Sequence, residues 1–245
     1  MNNYNFERLQ EFASNPDNCV QMGEDEQKKF ELLCSLLLEK NKMYNLTSIT
    51  DPKEVETKHF IDSLMAVPDI KKLSSKTSFS LIDIGCGAGF PGLPLKIVFP
   101  EAEFVMVDSV GKKVEFVSET AKALGLEQLS AESERAEVLA RTKYRENFDF
   151  VTARAVANLP VLLEYCLPFL KIGGHAILFK SGEYQEELLL AQKAIETLGG
   201  VETQVREFEL PYTMAKRSLI IIKKERPTPE KYPRRVGKAS KSPLV

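Results

Sequence analysis

Hydrophobic and polar positions divide the chain into two regions with different periods. In the first region Phe30, Leu33 and Leu37 recur at the three- to four-residue spacing of one helix face, and a second helix is predicted to begin after Asp51, a good capping residue. Strand-like alternation is absent from this part of the sequence. We therefore predict an amino-terminal helical extension over residues 1–75.

From residue 76 onward, short apolar runs alternate with stretches of helical spacing, which is typical of strands separated by helices. The runs predict seven strands, at 79–84, 103–107, 128–132, 148–153, 174–180, 202–209 and 217–223. The last two runs are too close in sequence for a helix between them. They are therefore expected to form an antiparallel hairpin.

Helical spacing fills most gaps between the strands. It predicts helices at 91–99, 111–124, 134–141, 159–170 and 184–198. Alternating strands and helices form right-handed βαβ units, so the fold class is α/β, a Rossmann-like, mostly parallel sheet with helices on both faces. We assign this domain to residues 76–224 and a basic, extended tail to residues 225–245.

Composition and charge narrow the functional classes. No apolar run is long enough to cross a bilayer, and the start of the sequence does not resemble a secretory signal, so we expect a cytoplasmic protein that does not contact a membrane. The four cysteines, Cys19, Cys34, Cys86 and Cys166, are too scattered for a metal site and are expected to be reduced and mostly buried. The net charge is -2, yet eight Lys or Arg and only two Glu lie between residues 223 and 241. That tail suggests a polyanionic partner.

The segment "LIDIGCGAGFPG" places a glycine-rich turn directly after the first predicted strand. In an open α/β sheet, ligands bind beyond the carboxyl ends of the strands, so this turn is the first candidate site. Gly87, Gly89 and Gly92 match the spacing of a dinucleotide-binding loop, and Asp108 follows at the distance of a ribose-binding acid. An NAD-dependent oxidoreductase is therefore one interpretation.

The register favours a different cofactor. The glycines begin at Gly85, and Asp83 interrupts the apolar strand two residues earlier, where a buried carboxylate is costly without a partner. This D-x-G-x-G-x-G pattern is that of S-adenosylmethionine enzymes, in which the acid lies near the methionine end of the ligand and Gly85, Gly87 and Gly89 pass against it. Asp108 would then bind the ribose. A side chain at Gly85 is expected to fill the space of the ligand without disturbing the fold.

Several motifs in the same order resemble one family. They are "IDIGCGAGFPGLPLKIVFP", "VDSVGKKVEF", "RAE", "TARAVANLP" and "LFKSG", with "YNLTSITDPKEVETKHFIDSL" before them and "YPRRVGKASKSPL" after them. The chain thereby resembles the bacterial small-subunit rRNA methyltransferase G family, also called glucose-inhibited division protein B, over about residues 24–245. The resemblance implies a class I methyltransferase fold and transfer of a methyl group from S-adenosylmethionine to N7 of guanine 527 in a loop of 16S rRNA near the decoding site.

The resemblance also implies site residues. The family's cofactor contacts fall on Gly85, Phe90, Ala136, Glu137 and Arg154. Asp108 and Ser109 would flank the ribose, and Ala136 and Glu137 would lie beside the adenine. The implied partner is 16S rRNA or the 30S subunit.

Catalytic candidates follow from strand ends and from the acceptor's chemistry. N7 of guanine has a lone pair and no proton, so its attack on a sulfonium methyl group needs no general base. Arg154, at the end of the fourth strand, and Lys180, at the end of the fifth, are the catalytic candidates. His59 and Asp62 are one helical turn apart and are predicted to form a local hydrogen bond.

RNA binding is expected to come from a basic surface, because the sequence contains no recognisable RNA-binding module. The candidates are Lys112, Lys113, Lys216, Arg217, Arg234 and Arg235. The affinity should then fall with salt. No metal is expected, and a monomer is the expected state. A non-catalytic RNA-binding assembly factor is a further alternative.

Overall fold

A computed structural model describes residues 4–74 and 76–245, apart from the side chain of Thr203. The predicted boundary between the helical extension and the sheet domain falls at residue 75, which lies outside the described residues. The same holds for the first three positions of the predicted extension.

One seven-stranded sheet forms the centre of the molecule, with the strand order β3-β2-β1-β4-β5-β7-β6. Its strands are β1 (Ser80–Ile84), β2 (Glu103–Asp108), β3 (Leu129–Ser133), β4 (Phe148–Arg154), β5 (Leu170–Ser181), β6 (Gly200–Glu209) and β7 (Lys216–Lys224). β1 to β5 pair in parallel, whereas β7 runs antiparallel to both β5 and β6. The six residues between β6 and β7 are too few for a crossover, so these strands form the predicted hairpin. The predicted seven-stranded, mostly parallel sheet is confirmed.

Helices cover the sheet and build the amino-terminal region. That region contains Glu7–Ser14, Glu24–Tyr44, Pro52–Val55, Glu56–Ile61, Asp62–Leu64 and Val67–Leu73, with a short 3-10 turn at Pro16–Asn18. The middle segment, Glu56–Ile61, is π-helical. The side chain of Asp51 accepts hydrogen bonds from the backbone N–H groups of Lys53 and Glu54, which is the capping role that the sequence predicted.

The helices after β1 follow the predicted alternation. They are Gly92–Val98, Gly111–Ala123, Ala136–Leu139, Leu159–Cys166 and Gln185–Thr197, with a 3-10 turn at Leu167–Phe169. A further short helix, Lys238–Lys241, lies in the tail that was predicted to be extended. Among the described residues, no helix is both long and apolar enough to cross a bilayer.

Alternate strand residues face two separate apolar layers, as a pleated sheet requires. Leu81 and Phe104 belong to one layer, and their neighbours Ile82 and Val105 belong to the other. Phe60 of the amino-terminal region is fully buried in the same layer as Phe104. The helical extension therefore packs on one face of the sheet.

Three segments differ most from the sequence predictions. The helix predicted at 159–170 ends at Cys166 and is followed by the 3-10 turn Leu167–Phe169. β5 begins at Leu170, four residues before the predicted start, because the strand also includes Lys171, Ile172 and Gly173, which the predicted apolar run left out. The predicted extended tail instead packs against the second apolar layer, where Tyr232 is buried. Three cysteines are buried and all four are free thiols, which confirms the expectation for them.

Candidate active site at the carboxyl edge of the sheet

Two neighbouring cavities lie where the parallel strands end. The first cavity, of about 380 Å³, is lined by residues that follow β1, β2 and β3, among them Gly85 and Asp108. The second cavity, of about 500 Å³, lies next to Arg154. Ala155 and Ala157 line both cavities, so the two spaces adjoin. Both volumes fall within the range of about 300–1,000 Å³ that is usual for small-molecule sites.

The glycine-rich turn borders the first cavity at Gly85. The N–H of Gly85 donates to the carbonyl of Val107 at 2.8 Å, which ties the turn to β2. Gly85, Gly87 and Gly89 have φ values of 69°, 56° and 89°, a region that glycine adopts readily. A Cβ atom on Gly85 would lie 2.5 Å from Cγ2 of Val156. Gly85 lines the cavity, while ligand contact by Gly87 and Gly89 stays a prediction.

Asp83 lies beneath this turn and is fully buried. Its carboxylate accepts hydrogen bonds from the Thr152 hydroxyl at 2.9 Å and from the N–H of Gly92 at 3.1 Å. Burial raises the pKa of Asp83 to about 7, although both hydrogen bonds act in the opposite direction. Asp83 thus holds the turn and the start of the following helix, and its direct contact with a ligand stays a prediction.

Asp108 is placed at the end of β2 with its carboxylate at the first cavity, as the sequence predicted. One oxygen accepts the N–H of Gly87 at 3.0 Å, and the other accepts the N–H of Val110 at 2.9 Å. The ammonium group of Lys113 lies 3.8 Å away. Because each carboxylate oxygen has two lone pairs, Asp108 can still accept hydrogen bonds from two ligand hydroxyls.

Ser109, Ala136 and Glu137 line the first cavity as well. Ala136 and Glu137 begin the short helix after β3, which is where the resemblance placed them. Oε1 of Glu137 accepts the backbone N–H of Gly237 from the carboxyl-terminal segment at 3.1 Å. Contact of these residues with adenine stays a prediction.

Arg154 ends β4 and connects the sheet to the amino-terminal helices. Its Nη1 donates to Oδ2 of Asp62 at 2.8 Å and to the carbonyl of Lys58 at 3.3 Å, and Nη2 donates to Nδ1 of His59 at 3.3 Å. Its guanidinium carbon lies 5.4 Å from the centre of the Phe90 ring. These contacts fix the guanidinium at the second cavity, next to the junction with the first.

His59 stays neutral in this arrangement. Burial and the positive charge of Arg154 lower the pKa of His59 to about 3. Because an arginine can only donate, Nδ1 of His59 is the acceptor, and the proton lies on Nε2, 2.9 Å from the hydroxyl of Thr47. The predicted bond between His59 and Asp62 is wrong, since among the described residues both side chains bond Arg154. The buried ring of Phe90 stacks on the His59 ring, with the two ring centres 4.4 Å apart, and so helps to hold His59 in place. Contact of Phe90 with the cofactor stays a prediction.

Lys180 and Arg217 complete the wall of the second cavity. Nζ of Lys180 donates to the carbonyl of Ala157 at 3.0 Å and lies 2.6 Å from Oε2 of Glu187. Nε of Arg217 lies 3.3 Å from Oδ1 of Asp62, so this one buried carboxylate faces two arginines. The second cavity is therefore rich in hydrogen-bond donors. Within the described part of the chain, no three His, Cys, Asp or Glu side chains are placed to hold a metal ion.

Some site features could not be found from the sequence. Ala155 has φ of 57°, an uncommon conformation for alanine, at the junction of the cavities. Ser240 of the carboxyl-terminal segment lines the first cavity. The sequence predicts only a bond between Asp62 and His59, because the two arginine partners of Asp62, Arg154 and Arg217, lie on distant strands. No local signal in the sequence indicates these three roles.

The predicted RNA-binding residues fall into different environments. Lys216 and Arg235 are exposed, and Lys112 lies over the ring of Tyr44 at 5.6 Å. Arg234 does not fit the prediction of a free surface cation. Its guanidinium donates to both carboxylate oxygens of the buried Glu164, at distances of 2.6 to 3.1 Å. We therefore remove Arg234 from the RNA-binding set, because both oxygens of a buried carboxylate bond its guanidinium. Arg217, whose Nε lies 3.3 Å from Oδ1 of Asp62, stays in the set as a prediction.

Solved structures with the same fold place the chain in a class. TrmN from Thermus thermophilus aligns with a TM-score of 0.53 at 17% identity, covering 69% of this chain and 53% of that one. Ribosomal protein L11 methylase from Lactobacillus delbrueckii aligns with a TM-score of 0.51 at 16% identity, covering 67% and 79%. The antiparallel β7 between β5 and β6 also differs from the dinucleotide-binding order 3-2-1-4-5-6. The fold is that of a Rossmann-like methyltransferase.

Sequence comparison gives the family. The profile of rRNA small subunit methyltransferase G, GidB, matches residues 26–220. The chain is 47% identical over 227 residues to ribosomal RNA small subunit methyltransferase G of Acetivibrio thermocellus, covering 92% of each chain. It is 46% identical to the protein of that name from Staphylococcus epidermidis, covering 92% of this chain and 93% of the relative. The chain belongs to the rRNA small subunit methyltransferase G family and is an enzyme, which confirms the resemblance drawn from its motifs.

Proposed function

We propose that this enzyme methylates N7 of guanine 527 in 16S rRNA and takes the methyl group from S-adenosylmethionine. The observation that carries the proposal is the pair of adjoining cavities at the carboxyl edge of the sheet. The first cavity is lined by the carboxylate of Asp108, which is suited to bind a ribose, and the second cavity is lined by arginine and lysine donors. The family makes the reaction an rRNA methylation, and the family implies S-adenosylmethionine as the donor.

The first cavity fits the cofactor by its size and by its polar groups. Asp108 would accept hydrogen bonds from the ribose hydroxyls, because its oxygens retain free lone pairs. Ala136 and Glu137 would border the adenine, and the backbone at Gly85 would pass along the methionine part. When bound, S-adenosylmethionine supplies a methyl group on a positively charged sulfur. The protein's task is to hold that group facing the second cavity.

The second cavity would receive the guanine. Arg154 and Lys180 are proposed to orient the acceptor base and its phosphate, because contacts within the protein hold their donors in place. Arg154 bonds the buried carboxylate of Asp62, and Lys180 bonds the carbonyl of Ala157. Because its pKa is lowered to about 3, His59 is a poor general base, which agrees with an acceptor nitrogen that has no proton to remove. Orientation of two bound reactants can by itself account for roughly 7–11 kcal/mol of a barrier in favourable systems.

RNA contact is proposed for the remaining cations of the predicted set, of which Lys112, Lys216 and Arg235 are exposed, while Lys113 and Arg217 are partly buried beside the first and the second cavity. The target base must leave its stack to enter this cavity, so a single-stranded loop is a suitable substrate.

We further propose that the chain acts as a monomer in the cytoplasm. Light scattering of the purified protein, with and without substrate, checks its oligomeric state.

The test is methyl transfer with location of the product. The enzyme is incubated with labelled S-adenosylmethionine and either 30S subunits or naked 16S rRNA, and N7-methylguanine is located by reduction and aniline cleavage. We expect one cleavage site, at guanine 527. Label at another base, or on a guanine atom other than N7, contradicts the proposal.

Arg154→Ala serves as the matched variant in this assay. Because its guanidinium is held by Asp62 and His59 at the junction of the cavities, its removal should lower the transfer rate by about 100-fold or more. S-adenosylhomocysteine binding should change far less, because Arg154 lines the second cavity and not the first, although the resemblance also implied a cofactor contact for it. Unchanged turnover would remove Arg154 from the catalytic site.

A further inference from the structure

The carboxyl-terminal segment is anchored to the body by two arginine contacts. Arg145 donates to the carbonyl of Tyr232 at 2.8 Å and to the carbonyl of Thr228 at 2.6 Å. Further along, the buried carboxylate of Glu164 accepts the backbone N–H of Arg234 at 2.7 Å as well as its guanidinium. These contacts fix the path of the segment as far as residue 234.

Beyond the second anchor, the chain runs to the first cavity. The N–H of Gly237 donates to Oε1 of Glu137 at 3.1 Å, and the hydroxyl of Ser240 lies 2.9 Å from that of Tyr165. Ala239, between these two contacts, is buried, so the segment is packed against the protein there. Tyr165 and Ser240 both line the cavity.

We propose that residues 237–240 form a wall of the cofactor cavity on the side of Glu137, where the adenine is placed. This inference rests on the proposed function, because it takes the first cavity as the site of S-adenosylmethionine. It also extends beyond the matched family profile, which ends at residue 220. The paired hydroxyls of Ser240 and Tyr165 can each donate or accept, so they can meet the polar edge of a purine while Ala136 borders its apolar face.

The wall is expected to raise the affinity for the cofactor. Without it, the cavity would be open to solvent beside Glu137, and a bound adenine would keep part of its apolar surface in water. A segment that is already docked also spares the ligand the cost of ordering a flexible loop. The tail therefore contributes to cofactor affinity in addition to any contact it makes with RNA.

Calorimetric titration with S-adenosylhomocysteine tests the wall in two variants of the full enzyme. Ser240→Trp places a large side chain at the cavity from an exposed position, where it does not strain the fold. Removal of residues 236–245 takes the wall away but keeps both anchors. We expect each change to weaken binding by about tenfold or more. Thermal unfolding without ligand checks that both variants fold.

Ser242→Trp is the matched control. Ser242 lies two residues further on, outside the residues that line the cavity, and this variant should bind within about twofold of the wild type. If the wild type binds and both Ser240→Trp and the shortened chain bind equally well, the wall is overturned while the proposed function stands. If the wild type itself does not bind S-adenosylhomocysteine, the proposed function fails and the wall with it.

Discussion

Asp83 combines a structural task with an electrostatic cost. Its carboxylate holds Thr152 and the N–H of Gly92, yet burial raises its pKa from 3.8 to about 7. Between these two values the folded protein keeps a proton that the unfolded chain has lost. Asp83 therefore makes stability fall as the pH rises through this window, with a slope of at most about 1.4 kcal/mol per pH unit.

Asp83→Asn should remove this pH dependence, because an amide can bond Thr152 and Gly92 without becoming charged. We expect the wild type to lose stability relative to the variant between pH 4 and 7, and the difference to level off above about pH 7. Urea unfolding at several pH values measures it. A difference that stays constant over this range would contradict a raised pKa.

The sequence predicts that Gly85 lies in the turn after β1, but it does not show how a side chain at Gly85 would affect the fold. Its place in the turn follows from the sequence, and a side chain there was expected to block the ligand without affecting the fold. The structure predicts a further effect, because φ is 69° and a Cβ atom would meet Cγ2 of Val156 at 2.5 Å. Val156 is distant in sequence, so no local pattern could reveal this contact.

Gly85→Ala should therefore destabilise the protein beyond the backbone cost alone. Gly125→Ala is the matched control, since Gly125 has φ of 63° and a Cβ atom added there would meet nothing within 4 Å. Gly125→Ala should lower the free energy of unfolding by about 1–2 kcal/mol, and Gly85→Ala should lower it by more. Val156→Ala should recover part of the excess. Equal losses for Gly85→Ala and Gly125→Ala in urea unfolding would show that Val156 moves away freely.

At the scale of elements, all seven strands could be predicted from their apolar runs, whereas the order of the strands in the sheet could not. β1, β2 and β4 are largely buried and rich in apolar residues, as expected for central parallel strands, although Asp83 interrupts the apolar run of β1. β3 lies at the edge of the sheet and is half-exposed, which explains its weak signal. Pairing partners and the packing of the tail depend on contacts between distant residues, which periodicity does not encode.

The docking of the tail depends on the contact between Arg234 and Glu164. Glu164 is fully buried, so Arg234→Met should leave an unpaired carboxylate and cost roughly 3–5 kcal/mol. Glu164→Gln in the same chain should recover part of the loss. Arg235→Met is the control, because an exposed neighbour should change stability by about 0.5 kcal/mol or less. Equal effects of the two arginine variants in denaturant unfolding would contradict the docking.

At the scale of the whole molecule, charge is separated along the chain. The overall charge is -2, while the carboxyl-terminal region is strongly basic, so binding to RNA must come from local surfaces rather than from the net charge. The structure divides these cations into paired ones, such as Arg234, and exposed ones, such as Lys216 and Arg235. Sequence composition could indicate a polyanionic partner but could not make this division.

RNA affinity should fall linearly with salt on a double-logarithmic scale. Replacing Lys216 or Arg235 with serine should reduce the slope by about 0.7 for each lost phosphate contact on single-stranded RNA. Lys28→Ser is the control, because Lys28 is exposed on the helix Glu24–Tyr44 and pairs with Glu24. Filter binding at several salt concentrations gives the slopes. A slope that is the same in all three variants as in the wild type would place the RNA elsewhere.

The central claim is that the donor and the acceptor meet at the junction of the two cavities. A crystal structure with S-adenosylhomocysteine tests it most directly. We predict the ribose on Asp108, the adenine between Ala136 and Ser240, and the sulfur directed past Ala155 toward Arg154. A ligand bound elsewhere, or one whose sulfur points away from the second cavity, would contradict the account.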